Sequence, residues 1–171
     1  SASPRVRWHN RRMSPAGAAD LHVVLVHPEI HWNTGNAGRT CLAAGAQLHL
    51  VRPLGFSLDD REVKRAGLDY WEHVDPVIWP DWADLEAALP TLGEPFLLSA
   101  EGERSLWDVM FPTPAVLVFG RESVGLPPPL RARHADRLVR IPMAADAVRS
   151  LNLSSAGAVA VFEFSRQHRP A

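Results

Sequence analysis

Residues 21–51 read LHVVLVHPEIHWNTGNAGRTCLAAGAQLHLV. The run Leu21–Val26 is short, almost wholly apolar and stopped by Pro28, the pattern of a strand buried on both faces. Thr34-Gly35-Asn36 offers helix-capping chemistry ahead of the small-residue run Ala37–Ala46, which Gly45 ends. Leu48–Val51 reads as a second strand, closed by Pro53. Strand, helix and strand in this order make a βαβ unit.

The rest of the chain repeats the alternation. Asp81 is placed to cap a helix through Leu85, Ala88 and Leu89, and Phe96–Leu98 is a short strand. Ala115–Phe119 is the clearest strand, ending at Gly120, and Leu138–Ile141 is another, stopped by Pro142. A last helix is expected from about Ser150 to Gln167, with Leu153, Ala156, Ala160, Val161 and Phe164 on one face. Alternating strands and helices predict an α/β fold with a mainly parallel sheet flanked by helices.

Length and charge bound what such a fold can do. A chain of 171 residues suits one domain. The formal net charge of -1 gives no overall basic bias toward nucleic acid. The distribution is uneven, however: residues 1–20 carry +3 and the remainder -4. We read residues 1–20 as a basic, disordered arm and 21–168 as the folded domain. Such an arm is either an RNA-binding extension or simply a solvated tail. Cys41 is the one cysteine, so no internal disulfide forms. No run approaches the ~18 apolar residues of a membrane span, and residues 1–20 lack the apolar stretch of a secretory signal. A cytoplasmic location away from membranes is expected.

In parallel sheets, ligands bind beyond the carboxyl ends of strands. Three polar segments follow predicted strands. The first, Asn33–Arg39, reads as a helix-opening turn whose backbone N–H groups would attract a phosphate, with Arg39 able to reach the same anion. The second, Phe119–Pro127, sets glycines around Arg121 and Glu122. Gly120 would let a ligand approach the backbone, and Glu122 is either a working carboxylate or a solvated loop acid. The third joins Ile141-Pro142-Met143 to Arg149–Ser155, where Ser150 or Asn152 caps the last helix.

Other chemistries are not supported. The spacing of Gly35, Gly38 and Gly45 does not fit G-x-G-x-x-G, and Arg121 stands where a hydrolase G-x-S-x-G needs glycine before Ser123. His27-Pro28-Glu29-Ile30-His31 is a poor zinc helix, because Pro28 breaks it, and no metal is expected.

The three segments, in this order, resemble the motifs of the SpoU-like branch of the SPOUT methyltransferase superfamily over nearly all of residues 21–168. Pro28-Glu29-Ile30, Arg52–Phe56 and Leu58-Asp59-Asp60 through Arg65–Tyr70 are most similar to its compact tRNA (cytidine/uridine-2′-O)-methyltransferase group, which modifies the wobble nucleotide of leucine tRNAs. The resemblance implies a C-terminal trefoil knot, a homodimer, S-adenosylmethionine as methyl donor, and tRNA rather than DNA as partner. It implies that Leu98, Gly120, Ile141 and Ser150 line the cofactor pocket. It implies that Arg39, Glu122, Ser150 and Asn152 serve catalysis, and that Asn33, Asn36 and Arg39 meet the substrate. A guanidinium is a poor general base, so a phosphate-positioning role suits Arg39. The resemblance leaves open the same chemistry on another tRNA or ribosomal RNA nucleotide, and a catalytically silent RNA-binding relative.

Overall fold

The computed structural model describes residues 6–7, 19–58, 61, 70–144, 148 and 150–169. Most of Asp59–Asp69, the rest of the arm and Arg149 lie outside the described residues, so the motif stretch before Tyr70 is not located.

The strands are β1 (Val6–Arg7), β2 (Leu21–Val26), β3 (Gln47–Val51), β4 (Val77–Trp79), β5 (Glu94–Leu98), β6 (Arg104–Ser105), β7 (Ala115–Phe119) and β8 (Leu138–Arg140). The helices are α1 (His31–Ala44), α2 (Trp71–Val74), α3 (Trp82–Leu92), α4 (Pro128–Arg133) and α5 (Leu153–Gln167). The described strands form one sheet in the order β1-β4-β3-β2-β7-β5-β8-β6. Only β1 runs antiparallel to its neighbour.

The parallel sheet is buried on both faces, as its apolar strands require. Leu21, Val23 and Leu25 point to one layer, shared with Leu48, Leu50, Leu117 and Phe119 and with Ala37, Cys41, Ala160 and Phe164 of α1 and α5. Val24 and Val26 point to the other, with Val51, Trp79, Val116 and Val118 beneath Leu85, Leu89 and Leu92 of α3 and Leu130 of α4. Because β2, β7, β5 and β8 are adjacent and parallel, their carboxyl ends share one edge. Segments leaving Val26, Phe119, Leu98 and Arg140 therefore emerge together.

The predicted βαβ unit is present as β2-α1-β3, and the strands at 21–26 and 115–119 have the predicted limits. Asp81 caps α3 as expected, its carboxylate accepting from the Asp84 amide at 2.8 Å. Gly45 closes α1 with φ 74°, a left-handed conformation cheap only for glycine. Beyond one- or two-residue shifts at the ends of β3, β5 and β8, two helix starts differ. Helix α1 begins at His31, six residues before Ala37, so Thr34-Gly35-Asn36 is not its cap but lies inside it. The last helix begins at Leu153, with Asn152 as its cap and Ser150 outside it. The sequence reading also passed over β4, three buried residues between Pro76 and Pro80.

Candidate active site

A cleft of about 590 Å³ opens at the shared edge of the sheet. That is within the usual range for small-molecule sites, roughly 300–1,000 Å³. Its apolar side includes Leu98, Ile141, Leu126, Leu153 and Ala156, and its polar side includes Asn33, Glu122, Ser150 and Asn152.

Gly120 forms a wall of bare main chain. A Cβ there would lie 2.1 Å from both the Gly125 carbonyl carbon and the Leu126 nitrogen. The loop can fold back this closely because Gly125 takes φ 72° and its amide donates to the Arg121 carbonyl at 2.8 Å.

The turn carries Glu122 to the start of α1. Its two carboxylate oxygens accept from the backbone amides of Glu29 at 2.9 Å and Ile30 at 2.7 Å. Asn33 Nδ2 adds a third donor at 3.3 Å. Ile30 is the N-cap of α1 and Glu29 precedes it, so Glu122 sits just ahead of the helix start, where a carboxylate also complements the helix dipole. The expectation that Asn33–Arg39 opens the helix and offers its amides to a phosphate is thereby corrected. Those residues lie within the helix, and the anion at its start is the protein's own Glu122. Arg39 accordingly stands more than two turns into the helix rather than one.

Glu29 returns the contact. Its Oε1 accepts from the Ser123 hydroxyl at 2.6 Å and amide at 2.9 Å. The hydroxyl bond, then the amide bond, hold the Glu29 carboxyl below its ordinary range against an opposing desolvation, with the nearby Arg121 charge a lesser help. The loop after β7 and the segment after β2 are thus joined in both directions.

Asn33 extends the network. It is only 2% exposed, and its Oδ1 accepts from Asn152 Nδ2 at 3.1 Å. Asn152 Oδ1 accepts from the Ser154 amide at 2.9 Å and hydroxyl at 2.7 Å, and from the Ser155 amide at 3.4 Å, capping α5. Glu122, Asn33 and Asn152 form one hydrogen-bonded line along the cleft floor.

The structure brings Asn33, Leu98, Gly120, Glu122, Ile141, Ser150 and Asn152 to this one cleft. Asn36 and Arg39 are not among its lining residues; both are exposed on α1. The Arg39 guanidinium lies over the Tyr70 ring, 5.2 Å from its centre. The sequence reading assigned no role to Glu29, Ser123, Arg131 or Glu101, the last two being paired at the cleft rim. Glu29 had a signal, since it follows a strand; Arg131 and Glu101 had none, because only strand order brings them together. Among the described residues no group of three or more His, Cys, Asp or Glu is arranged to hold a metal ion.

With this geometry in hand, similarity to known proteins becomes specific. The chain is 48% identical over 151 residues to tRNA (cytidine(34)-2′-O)-methyltransferase of Acidovorax sp. (strain JS42), covering 86% of this chain and 92% of that protein. It is 45% identical over 151 residues to the enzyme of the same name from Polaromonas sp. (strain JS666), covering 86% and 91%. A solved structure described as giving insights into the 2-OH methylation of C/U34 on tRNA superposes with a TM-score of 0.82 at 48% identity, covering 87% of this chain and 96% of the other. An AdoMet-bound rRNA methyltransferase from Sinorhizobium meliloti gives 0.79 at 28% identity, covering 88% and 57%. The SpoU rRNA methylase family model matches residues 20–162. The cleft at the strand ends, its glycine wall and its carboxylate–asparagine line therefore sit in a chain that belongs to the SpoU rRNA methylase family.

Proposed function

We propose that this protein transfers the methyl group of S-adenosylmethionine to the ribose 2′-hydroxyl of a tRNA nucleotide, the wobble cytidine or modified uridine of leucine tRNAs. The observation that carries the reading is the cleft. It joins an apolar wall at the ends of β5 and β8 to a fixed polar line, beside relatives named for this reaction.

The residues present suit the donor. Leu98 and Ile141 offer an apolar slot for a planar base. Gly120 has no room for a side chain against Gly125 and Leu126, so the loop folds back on itself and sets this wall of the cleft. When bound, S-adenosylmethionine supplies an electrophilic methyl on a sulfonium. The chain's contribution is positioning, the main lever for an in-line displacement. Asn33 and Asn152 are locked by their mutual bond and present fixed polar atoms to the cleft. Glu122 holds Asn33 and the start of α1, which makes it a positioning group in this arrangement. Ser150 is exposed at the cleft and is the hydroxyl assigned to the reacting end. Arg39 takes a substrate phosphate, with Asn36 beside it.

The same reading carries a C-terminal trefoil knot, a homodimeric assembly, no metal requirement and a cytoplasmic location. It treats 21–168 as the catalytic domain and the basic residues 1–20 as an arm, of which Val6–Arg7 is not disordered as expected but pairs with β4. No described helix is long and apolar enough to cross a membrane.

Transfer of labelled methyl from S-adenosylmethionine to total tRNA and to ribosomal RNA, followed by nucleoside mapping, tests the proposal. Label in a 2′-O-methylated wobble pyrimidine is expected. Label in ribosomal RNA would keep the chemistry and reject the substrate, and absence of label with no cofactor binding would reject both.

A further inference from the structure

Helix α1 exposes Trp32, Asn36, Arg39 and Ala43, at intervals of four, three and four residues. That spacing puts them in one stripe along the helix. Trp32 stands at the end of the stripe nearest the cleft, between Ile30 and Asn33, both of which line it. Its side chain is 57% exposed. The cleft itself carries further apolar exposure, since Ile30, Val124, Met143 and Leu151 are exposed and all line it.

Trp32 and Arg39 are separated by about 10 Å along the helix at 1.5 Å per residue. Arg39 is steadied by the Tyr70 ring. An exposed aromatic plane followed by a fixed cation is the composition that binds single-stranded RNA, the ring taking a base and the cation a phosphate. A ribose can enter a cleft only if its nucleotide leaves the stack, and the freed base then needs an apolar surface.

We propose that Trp32 is the platform on which the base of the target nucleotide stacks while its ribose enters the cleft beside Asn33. The inference rests on the RNA methyl-transfer reading above. Stacking does not read the hydrogen-bonding edge of a base, so the platform accepts cytidine and uridine alike. Choice of nucleotide then lies in the anticodon's shape and in the phosphate contacts.

The test is steady-state methyl transfer to tRNA by the full chain, comparing wild type with Trp32→Ala and Trp32→Phe, alongside S-adenosylmethionine binding and sedimentation. Trp32→Ala should raise KM for tRNA roughly tenfold. Trp32→Phe should recover most of it, with cofactor affinity and oligomeric state as in wild type. An unchanged KM in Trp32→Ala overturns the platform. So does a Trp32→Ala variant that changes oligomeric state, which would make Trp32 a contact between copies, or one that loses cofactor affinity in step with tRNA. If wild type itself transfers no methyl to tRNA, the functional reading fails first and the platform fails with it.

Discussion

Asn33 and Asn152, 119 positions apart, are joined side chain to side chain by a bond of 3.1 Å, and each spends its other amide atom on a different element. Asn152 is therefore a helix cap and a cleft residue at once, and two substitutions separate the roles. Asn152→Asp keeps the oxygen that caps α5 but loses the donor to Asn33. We expect near wild-type stability and a large loss of methyl transfer. Asn152→Ala loses both, with a further cost of about 1 kcal/mol for the cap. Urea unfolding beside a transfer assay checks the pair; equal stability in both would discount the cap.

Glu122→Gln tests whether that carboxylate holds the site or performs chemistry. The amide that replaces one oxygen cannot accept from the Glu29 or Ile30 N–H. A loss of about 1–3 kcal/mol in stability is expected, with reduced transfer. Were Glu122 a general base only, unfolding would be unaffected while turnover collapsed.

Gly120→Ala places a methyl group against main chain on the far side of the loop. Neither neighbour is the end of a flexible side chain, so the loop must move. We expect destabilisation of about 3 kcal/mol or more, and loss of S-adenosylmethionine binding by calorimetry. Normal binding in this variant would contradict the main-chain wall.

Arg39 is exposed and outside the cleft, so Arg39→Ala should change stability by less than about 1 kcal/mol, a bound set by its contact with Tyr70. Methyl transfer should fall at least tenfold, and the slope of log affinity for tRNA against log salt should shrink by about one unit. Arg39→Lys should restore the slope better than the rate, because it keeps the charge without the fork. A slope unaltered in Arg39→Ala would remove the phosphate contact.

His22 gives the fold a dependence on acid. Trp79 Nε1 donates to His49 Nδ1 at 3.0 Å, and His49 Nε2 meets His22 Nδ1 at 2.8 Å, in a buried line across β4, β3 and β2. Burial lowers the His22 pKa from 6.5 to about 4, against a smaller opposing effect of the Ala19 backbone carbonyl as acceptor. The folded form favours neutral imidazole, so this contribution is complete above pH 6.5. It declines as pH falls toward 4, where the unfolded chain takes a proton that the folded chain refuses. The loss should reach roughly 3 kcal/mol by pH 4, and be smaller in His22→Gln, as read from urea unfolding at several pH values.

What the sequence disclosed and what it withheld divide along one physical line. Strands such as Ala115–Phe119 were legible because every residue is apolar and buried, which needs no knowledge of the partner. The Asp81 cap was legible because donor and acceptor lie three residues apart. The start of α1 was not, since the carboxylate that holds the segment entering it is Glu122, more than ninety residues away. Ser150 and Asn152 looked equivalent as caps, and only the fold decides for Asn152. Most expected site residues followed predicted strands, and adjacent parallel strands brought their ends together. Asn36 and Arg39 fell outside the cleft because the early start of α1 turns them onto its exposed stripe.

The cleft's long-range joints also set when it comes into being. Synthesis delivers Asn33 early, but Glu122 and Asn152 emerge much later. A chain still on the ribosome carries β2, α1 and β3 with Glu29 and Ile30 lacking their carboxylate and Asn33 without its partners. Competence thus waits for Asn152, and a copy stopped short of it holds no finished pocket with which to sequester a cosubstrate or an RNA.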